Sequence, residues 1–116
     1  MRILVADDEP FIADLLAMLL KARGHSAKTV LDGQAALDAF RGEPFDLVIT
    51  DLSMPKINGL ILAREIKALN PSQPIALLTG STDDSVTHPH IDFLLAKPVE
   101  LARLTAVLAQ VESQRK

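Results

Sequence analysis

The chain has 116 residues, 48% hydrophobic and 23% charged, with a formal net charge of −3 and no cysteine. That length and balance suit one domain with a real core and exclude a disordered chain. The charge offers no basic field for nucleic acid, and the lack of cysteine excludes disulfides and thiolate metal sites and suits a reducing compartment. Asp7, Asp8 and Glu9 interrupt any apolar leader, while the longest apolar stretch, Phe11 to Leu20, contains Asp14 and is too short to cross a bilayer. The expectation is a cytoplasmic protein, residues 1–116 forming one domain, with no direct nucleic acid partner and no membrane association.

In chain order, Arg2 to Ala6 (RILVA) has the character of a buried strand and ends in Asp7-Asp8-Glu9. Pro10 suits a helix N1 position, and Phe11, Ile12, Leu15, Leu16, Leu19 and Leu20 recur at helical spacing before Gly24 stops the run. His25 to Val30 is a more polar strand, suited to a sheet edge, and Asp32-Gly33 opens a short helix through Phe40 that Gly42 and Pro44 end. Leu47 to Ile49 is a third buried strand; it stops at Thr50 and Asp51, and a breaker-rich loop with Ser53, Pro55, Asn58 and Gly59 follows. The pattern predicts a helix over Leu60 to Leu69 with Leu62, Ile66 and Leu69 on one face, then a strand at Pro74 to Leu78 running into Thr79-Gly80. A fifth strand is predicted at Ile91 to Ala96, ending at Lys97-Pro98, and a last helix from Val99 to about Glu112 with Leu101, Leu104, Leu108 and Val111 on one face. Phe40 and Phe93 read as core residues.

Strand and helix alternate five times, which implies an α/β fold with parallel strands and helices on both faces of the sheet. The polar second strand fits the edge of a flavodoxin-like, doubly wound five-stranded parallel sheet of order 2-1-3-4-5. Between Thr79 and Ile91 the chain has little apolar character, so the fourth helix is expected to be shortened or irregular. In that strand order the carboxyl ends of strands one, three, four and five converge, bringing Asp7 and Asp8, Asp51, Thr79 and Lys97 to one rim.

Three carboxylates at one rim repel strongly, by about 4 kcal/mol per pair at roughly 4 Å in an effective dielectric near 20. Lys97 offsets one charge, and a divalent cation would offset the rest; oxygen ligands without His or Cys suit Mg²⁺. An aspartate can also attack phosphorus to form an acyl phosphate, a reaction that depends on positioning and charge neutralisation. Lys97 and the Thr79 hydroxyl are placed to face the transferring oxygens.

The motifs ILVADDE, DLSMPKING, LLTG and AKP, each at a strand end and in this order, resemble those of response-regulator receiver domains of two-component signalling, and the resemblance covers essentially the whole chain. It implies that Asp51 accepts a phosphoryl group from a histidine kinase or histidine phosphotransfer protein in a two-component or phosphorelay system. It implies further that Asp8 and Asp51, Asp7 partly through water and the Ser53 backbone carbonyl hold Mg²⁺, and that Thr79 and Lys97 bind the phosphoryl oxygens. Lys97-Pro98 is expected to be a cis peptide. Ser53 and Ser81, two positions beyond Asp51 and Thr79, are candidates for tuning the acyl-phosphate lifetime. A signalling phosphoacceptor of this kind is not a turnover enzyme; its only catalysis is of its own phosphorylation and dephosphorylation, and its effect is to change binding of a downstream protein or pass phosphate onward. The sequence ends shortly after the last helix, so a single receiver domain with no output domain is expected.

The sequence departs from the family pattern in two places. One is a Thr79 to Lys97 interval several residues shorter than in better-known receivers, which removes much of the fourth helix and argues against a dimer built on that helix face. The other is Leu94. Familiar receivers carry an aromatic three residues before the lysine, where this chain has Leu94, and neighbouring Phe93 points to the opposite sheet face. That substitution puts the threonine-to-aromatic switch in doubt and leaves phosphorylation itself intact. Two other classes are weighed against the phosphoacceptor. A pseudo-receiver would use the same fold as a phosphorylation-independent binding module, which the altered switch favours and the intact acidic and lysine positions oppose. An aspartate-nucleophile phosphatase of the haloacid-dehalogenase type needs a second acid two residues after the nucleophile, where this chain has Ser53.

Overall fold

In the computed structural model, which describes residues 1–80 and 89–115, five strands form one parallel sheet of order β2-β1-β3-β4-β5. The strands are β1 (Arg2–Ala6), β2 (Ser26–Val30), β3 (Leu47–Asp51), β4 (Ile75–Thr79) and β5 (Phe93–Ala96), and the helices are α1 (Pro10–Ala22), α2 (Gly33–Gly42), α3 (Gly59–Leu69) and α4 (Leu101–Gln114). The connection between β4 and β5, where a shortened fourth helix is expected, lies outside the described residues at 81–88. None of the helices among the described residues is long and apolar enough to cross a membrane.

Side-chain alternation along the central strands sorts the core into two layers. Ile3 and Val5 of β1, Leu47 and Ile49 of β3, Ala76 and Leu78 of β4 and Leu95 of β5 pack under α1 and α4. Leu4 and Ala6, Val48 and Ile75 face the other way, under α2 and α3. Every residue of β3 and β4 is buried, whereas β2 at the edge has none that is fully buried.

Several boundaries and faces differ from the sequence reading for identifiable reasons. The third strand runs on through Thr50 and Asp51, because Thr50 pairs with Ala6 and Asp51 with Leu78. The fifth strand begins at Phe93 rather than Ile91: the Asp92 carboxylate accepts from the Ile75 amide and from Lys67 Nζ, so a side chain takes the Ile75 amide while the Ile75 carbonyl still accepts from the Asp92 amide at 2.9 Å. Helix α1 buries Ala13, Leu16, Ala17 and Leu20, while Phe11 and Leu15 face solvent on its opposite side with Met18. The buried face of α1, which includes Ala13 and Ala17, is narrower than its apolar arc. Leu69, the final residue of α3, and Leu101, the first of α4, are likewise exposed; the buried faces are Leu62, Ala63 and Ile66, and Leu104, Val107, Leu108 and Val111. Phe40 and Phe93 are partly buried and pack against opposite core layers.

The helix starts adjoining the site are set locally. Asp32 caps α2 by accepting from the Ala35 amide at 2.7 Å, and Asn58 caps α3 by accepting from the Ile61 amide at 2.9 Å. Gly33 permits the loop from β3 to α3 to lie against α2, since a Cβ there would stand 2.1 Å from the Ile57 carbonyl oxygen. Lys56, with φ 70°, carries that loop through a left-handed turn and places its ammonium 3.6 Å from Asp32. Replacing Gly33 by alanine should therefore push two backbones apart and cost about 1–3 kcal/mol, read as a lower urea midpoint; an unchanged midpoint would contradict the close approach.

Candidate phosphoacceptor and metal site

The strand order reverses between β1 and β3: the chain leaves β1 to form β2 on one side and returns to form β3 on the other. Open α/β sheets hold their ligands in the crevice at the carboxyl ends of strands flanking such a reversal. Asp7 and Asp8 follow β1, and Asp51 closes β3. One carboxylate oxygen from each of the three lies within 4.8 Å of the others, with Asp7 and Asp51 buried and Asp8 exposed.

Each buried acid is held by the backbone next to it. Asp7 Oδ1 accepts from the Glu9 amide at 3.0 Å, turning the chain into α1, and Asp51 Oδ1 accepts from the Leu52 amide at 3.0 Å. Lys97, which follows β5, extends across the rim and places Nζ 3.0 Å from Asp51 Oδ1 and 3.3 Å from Asp7 Oδ2. The Lys97 amide donates to the Thr79 carbonyl at 2.9 Å, which ties the ends of β4 and β5 together. Thr79 is buried at the end of β4, and the Lys97-Pro98 peptide is cis.

The electrostatics follow from burial and charge count. Desolvation raises the Asp51 pKa above its ordinary value; Lys97 and the Leu52 amide oppose that rise, and the Asp7 charge adds to it. Burial works against the Lys97 ammonium, but Asp51 and Asp7 outweigh it and hold the Lys97 pKa above its usual value. Three carboxylates face one ammonium, so two negative charges remain uncompensated. Asp7 Oδ2 is buried and lacks a hydrogen bond although it is at ion-pair distance from Lys97. An orphaned buried carboxylate oxygen beside two further carboxylates fits a hard divalent cation with oxygen ligands.

The remaining sequence candidates divide. Ser53 is exposed in the loop after β3, and Ser81 lies outside the described residues. Leu94 pairs with Leu77 of β4 and is half-buried, while Phe93 packs into the layer under α1 and α4. The sequence reading passed over Thr50 and Gly33. A hydroxyl residue inside an otherwise aliphatic strand and a glycine at a helix start were the available signals.

A parallel five-stranded α/β sheet with an acid cluster at its switch point defines the class, and comparison with known proteins defines the family. The chain belongs to the response regulator receiver domain family, which matches residues 3–109. It is 35% identical over 123 residues to the transcriptional regulatory protein RprY of Bacteroides fragilis, covering 99% of this chain and 52% of that protein. It is 40% identical over 82 residues to the DNA-binding response regulator MtrA of Mycolicibacterium smegmatis, covering 71% of this chain and 36% of that one. The chain thus spans about half or less of these curated relatives. Among solved structures, the response regulator TrrA of Thermotoga maritima, in complex with Mg²⁺ and BeF, superposes with a TM-score of 0.88 at 34% identity, covering 95% of this chain and 97% of that one. A receiver domain protein from Clostridium thermocellum gives 0.89 at 28% identity, covering 98% and 95%.

Because the folded pKa of Asp51 is raised, its contribution to stability is fully present below its unfolded pKa and lost as pH rises through the folded value. Asp51→Asn removes the charge without changing shape. It should raise the urea midpoint at neutral pH, with the gain over wild type shrinking as pH falls and Asp51 takes up its proton. A variant less stable than wild type at neutral pH would contradict this electrostatic reading.

Proposed function

We propose that the protein is a phosphoacceptor in a two-component or phosphorelay pathway of the cytoplasm, with Asp51 receiving the phosphoryl group from a phosphohistidine on a histidine kinase or histidine phosphotransfer protein. The observation that carries this reading is the buried Asp51 carboxylate, 3.0 Å from Lys97 and clustered with Asp7 and Asp8.

Asp7, Asp8, Asp51 and the Ser53 carbonyl would hold Mg²⁺. When bound, the ion supplies positive charge opposite the phosphoryl oxygens. In the transfer, a carboxylate oxygen of Asp51 attacks phosphorus, the O–P bond forms as the N–P bond breaks, and the electron pair returns to the imidazole, which is then protonated from solvent. Lys97 faces the transferred oxygens with a charge that its carboxylate neighbours keep in place, and Thr79 offers its hydroxyl from the end of β4. Hydrolysis of the acyl phosphate by water resets the site, and Ser53 and Ser81 would tune how long the phosphoryl group persists. The phosphorylated protein changes its binding to a downstream protein or passes the phosphoryl group onward. With Leu94 at the position where familiar receivers carry an aromatic, the threonine-to-aromatic route from Thr79 to that output lacks its usual side chain.

Intact-mass spectrometry after incubation with acetyl phosphate tests this directly. The wild type should gain one phosphoryl group with Mg²⁺ and none with a chelator. Asp51→Asn should gain none, and Lys97→Met should be labelled about 100-fold more slowly or less. Labelling of Asp51→Asn equal to wild type would overturn the assignment.

A further inference from the structure

The side chain of Thr50 is wholly buried, one residue before the proposed phosphoacceptor. It lies on the face of β3 shared with Val48, under α2 and α3, so its hydroxyl points away from the side to which Asp51 belongs. Thr50 Oγ1 donates to the Asp51 backbone carbonyl at 3.0 Å and lies 4.0 Å from Met54 Sδ in the following loop. The same carbonyl is pressed by the start of α3, where a Cβ on Gly59 would stand 2.2 Å from its oxygen, and the Gly59 amide donates to the Leu52 carbonyl at 2.8 Å.

A peptide unit is planar, so fixing its carbonyl also fixes its N–H. The unit whose carbonyl Thr50 holds has the Leu52 amide at its other end, and that amide donates to Asp51 Oδ1 at 3.0 Å and to the Leu78 carbonyl at 3.2 Å. A line of contacts thus runs from the Thr50 hydroxyl through one rigid plane to the carboxylate on the opposite side of the sheet. We propose that Thr50 is a positioning residue that orients the Asp51 carboxylate, and with it the loop carrying Ser53, through the Asp51–Leu52 peptide plane. The inference rests on the reading of Asp7, Asp8 and Asp51 as a Mg²⁺ site and adds to it a residue that touches neither metal nor phosphoryl group.

The test is the Mg²⁺ dissociation constant, measured from amide NMR shifts with MgCl₂ alone, for wild type and for Thr50→Ser, Thr50→Val and Thr50→Ala, beside the urea midpoint of each. Valine keeps the shape and loses the hydroxyl; serine keeps the hydroxyl and loses a methyl group. The expected result is that Mg²⁺ affinity follows the hydroxyl: Thr50→Ser stays within about twofold of wild type, while Thr50→Val and Thr50→Ala bind about tenfold more weakly. Stability should instead follow packing, with serine and alanine costing more than valine. If Thr50→Val does not fold, the comparison of serine with alanine decides the same point. Equal affinity in the hydroxyl-bearing and hydroxyl-free variants would overturn the role of Thr50 and leave the metal site standing. A wild type that does not respond to Mg²⁺ would overturn the metal site and this inference with it.

Discussion

The site depends on the cost of keeping three acids together where two of them are shielded from water. Two of three clustered carboxylates are buried and one ammonium reaches them, so the rim carries an excess of negative charge. At an effective dielectric near 20, two such charges about 4 Å apart repel by about 4 kcal/mol. The fold tolerates this because the acids sit at the ends of β1 and β3, whose aliphatic residues are buried on both faces and supply cohesion the rim lacks. On the proposed function, this uncompensated charge is what a bound divalent cation would relieve.

Parallel topology does the rest of the positioning. Because all five strands run the same way, every strand end that matters opens on one side, and the reversal between β1 and β3 leaves a crevice between Asp7 and Asp51. The loop after β3 is held from two directions by residues without a side chain: Gly33 receives the Ile57 carbonyl and Gly59 the Asp51 carbonyl. Thr50 braces that second carbonyl from below. A side chain at either glycine would move the backbone that follows Asp51, so parts of α2 and α3 outside the acid cluster still set the shape of the site.

Much of this was legible in the sequence because burial on both faces leaves a strong mark. LVI, IALL and ILVA announce central strands, and the polar SAKTV announces an edge, so the order 2-1-3-4-5 and the gathering of Asp7, Asp8, Asp51, Thr79 and Lys97 could be argued before any coordinates. Helix faces were harder. In α1 the large residues Phe11 and Leu15 took part in the apparent periodicity, yet Ala13 and Ala17 lie on the face that meets the sheet, and periodicity alone does not say which of two apolar faces packs. The start of β5 was misplaced because Asp92 satisfies the Ile75 amide through its side chain, a substitution that hydrophobicity does not register. Thr50 was passed over because a threonine in a strand is ordinary β-propensity; its role emerges only from which carbonyl its hydroxyl meets.

In the proposed function the acid cluster, Thr79 and Lys97 form one site that takes a cation and a phosphoryl group together. The most direct measurement is the amide NMR spectrum of the wild type with Mg²⁺ and then with beryllofluoride, a mimic of the phosphoryl group. Amide shifts are expected at Asp8 and Asp51 with Mg²⁺, and further shifts at Thr79 and Lys97 only when beryllofluoride is added, while edge strand β2 stays unmoved. A spectrum that is unchanged by both additions at millimolar concentration would contradict it.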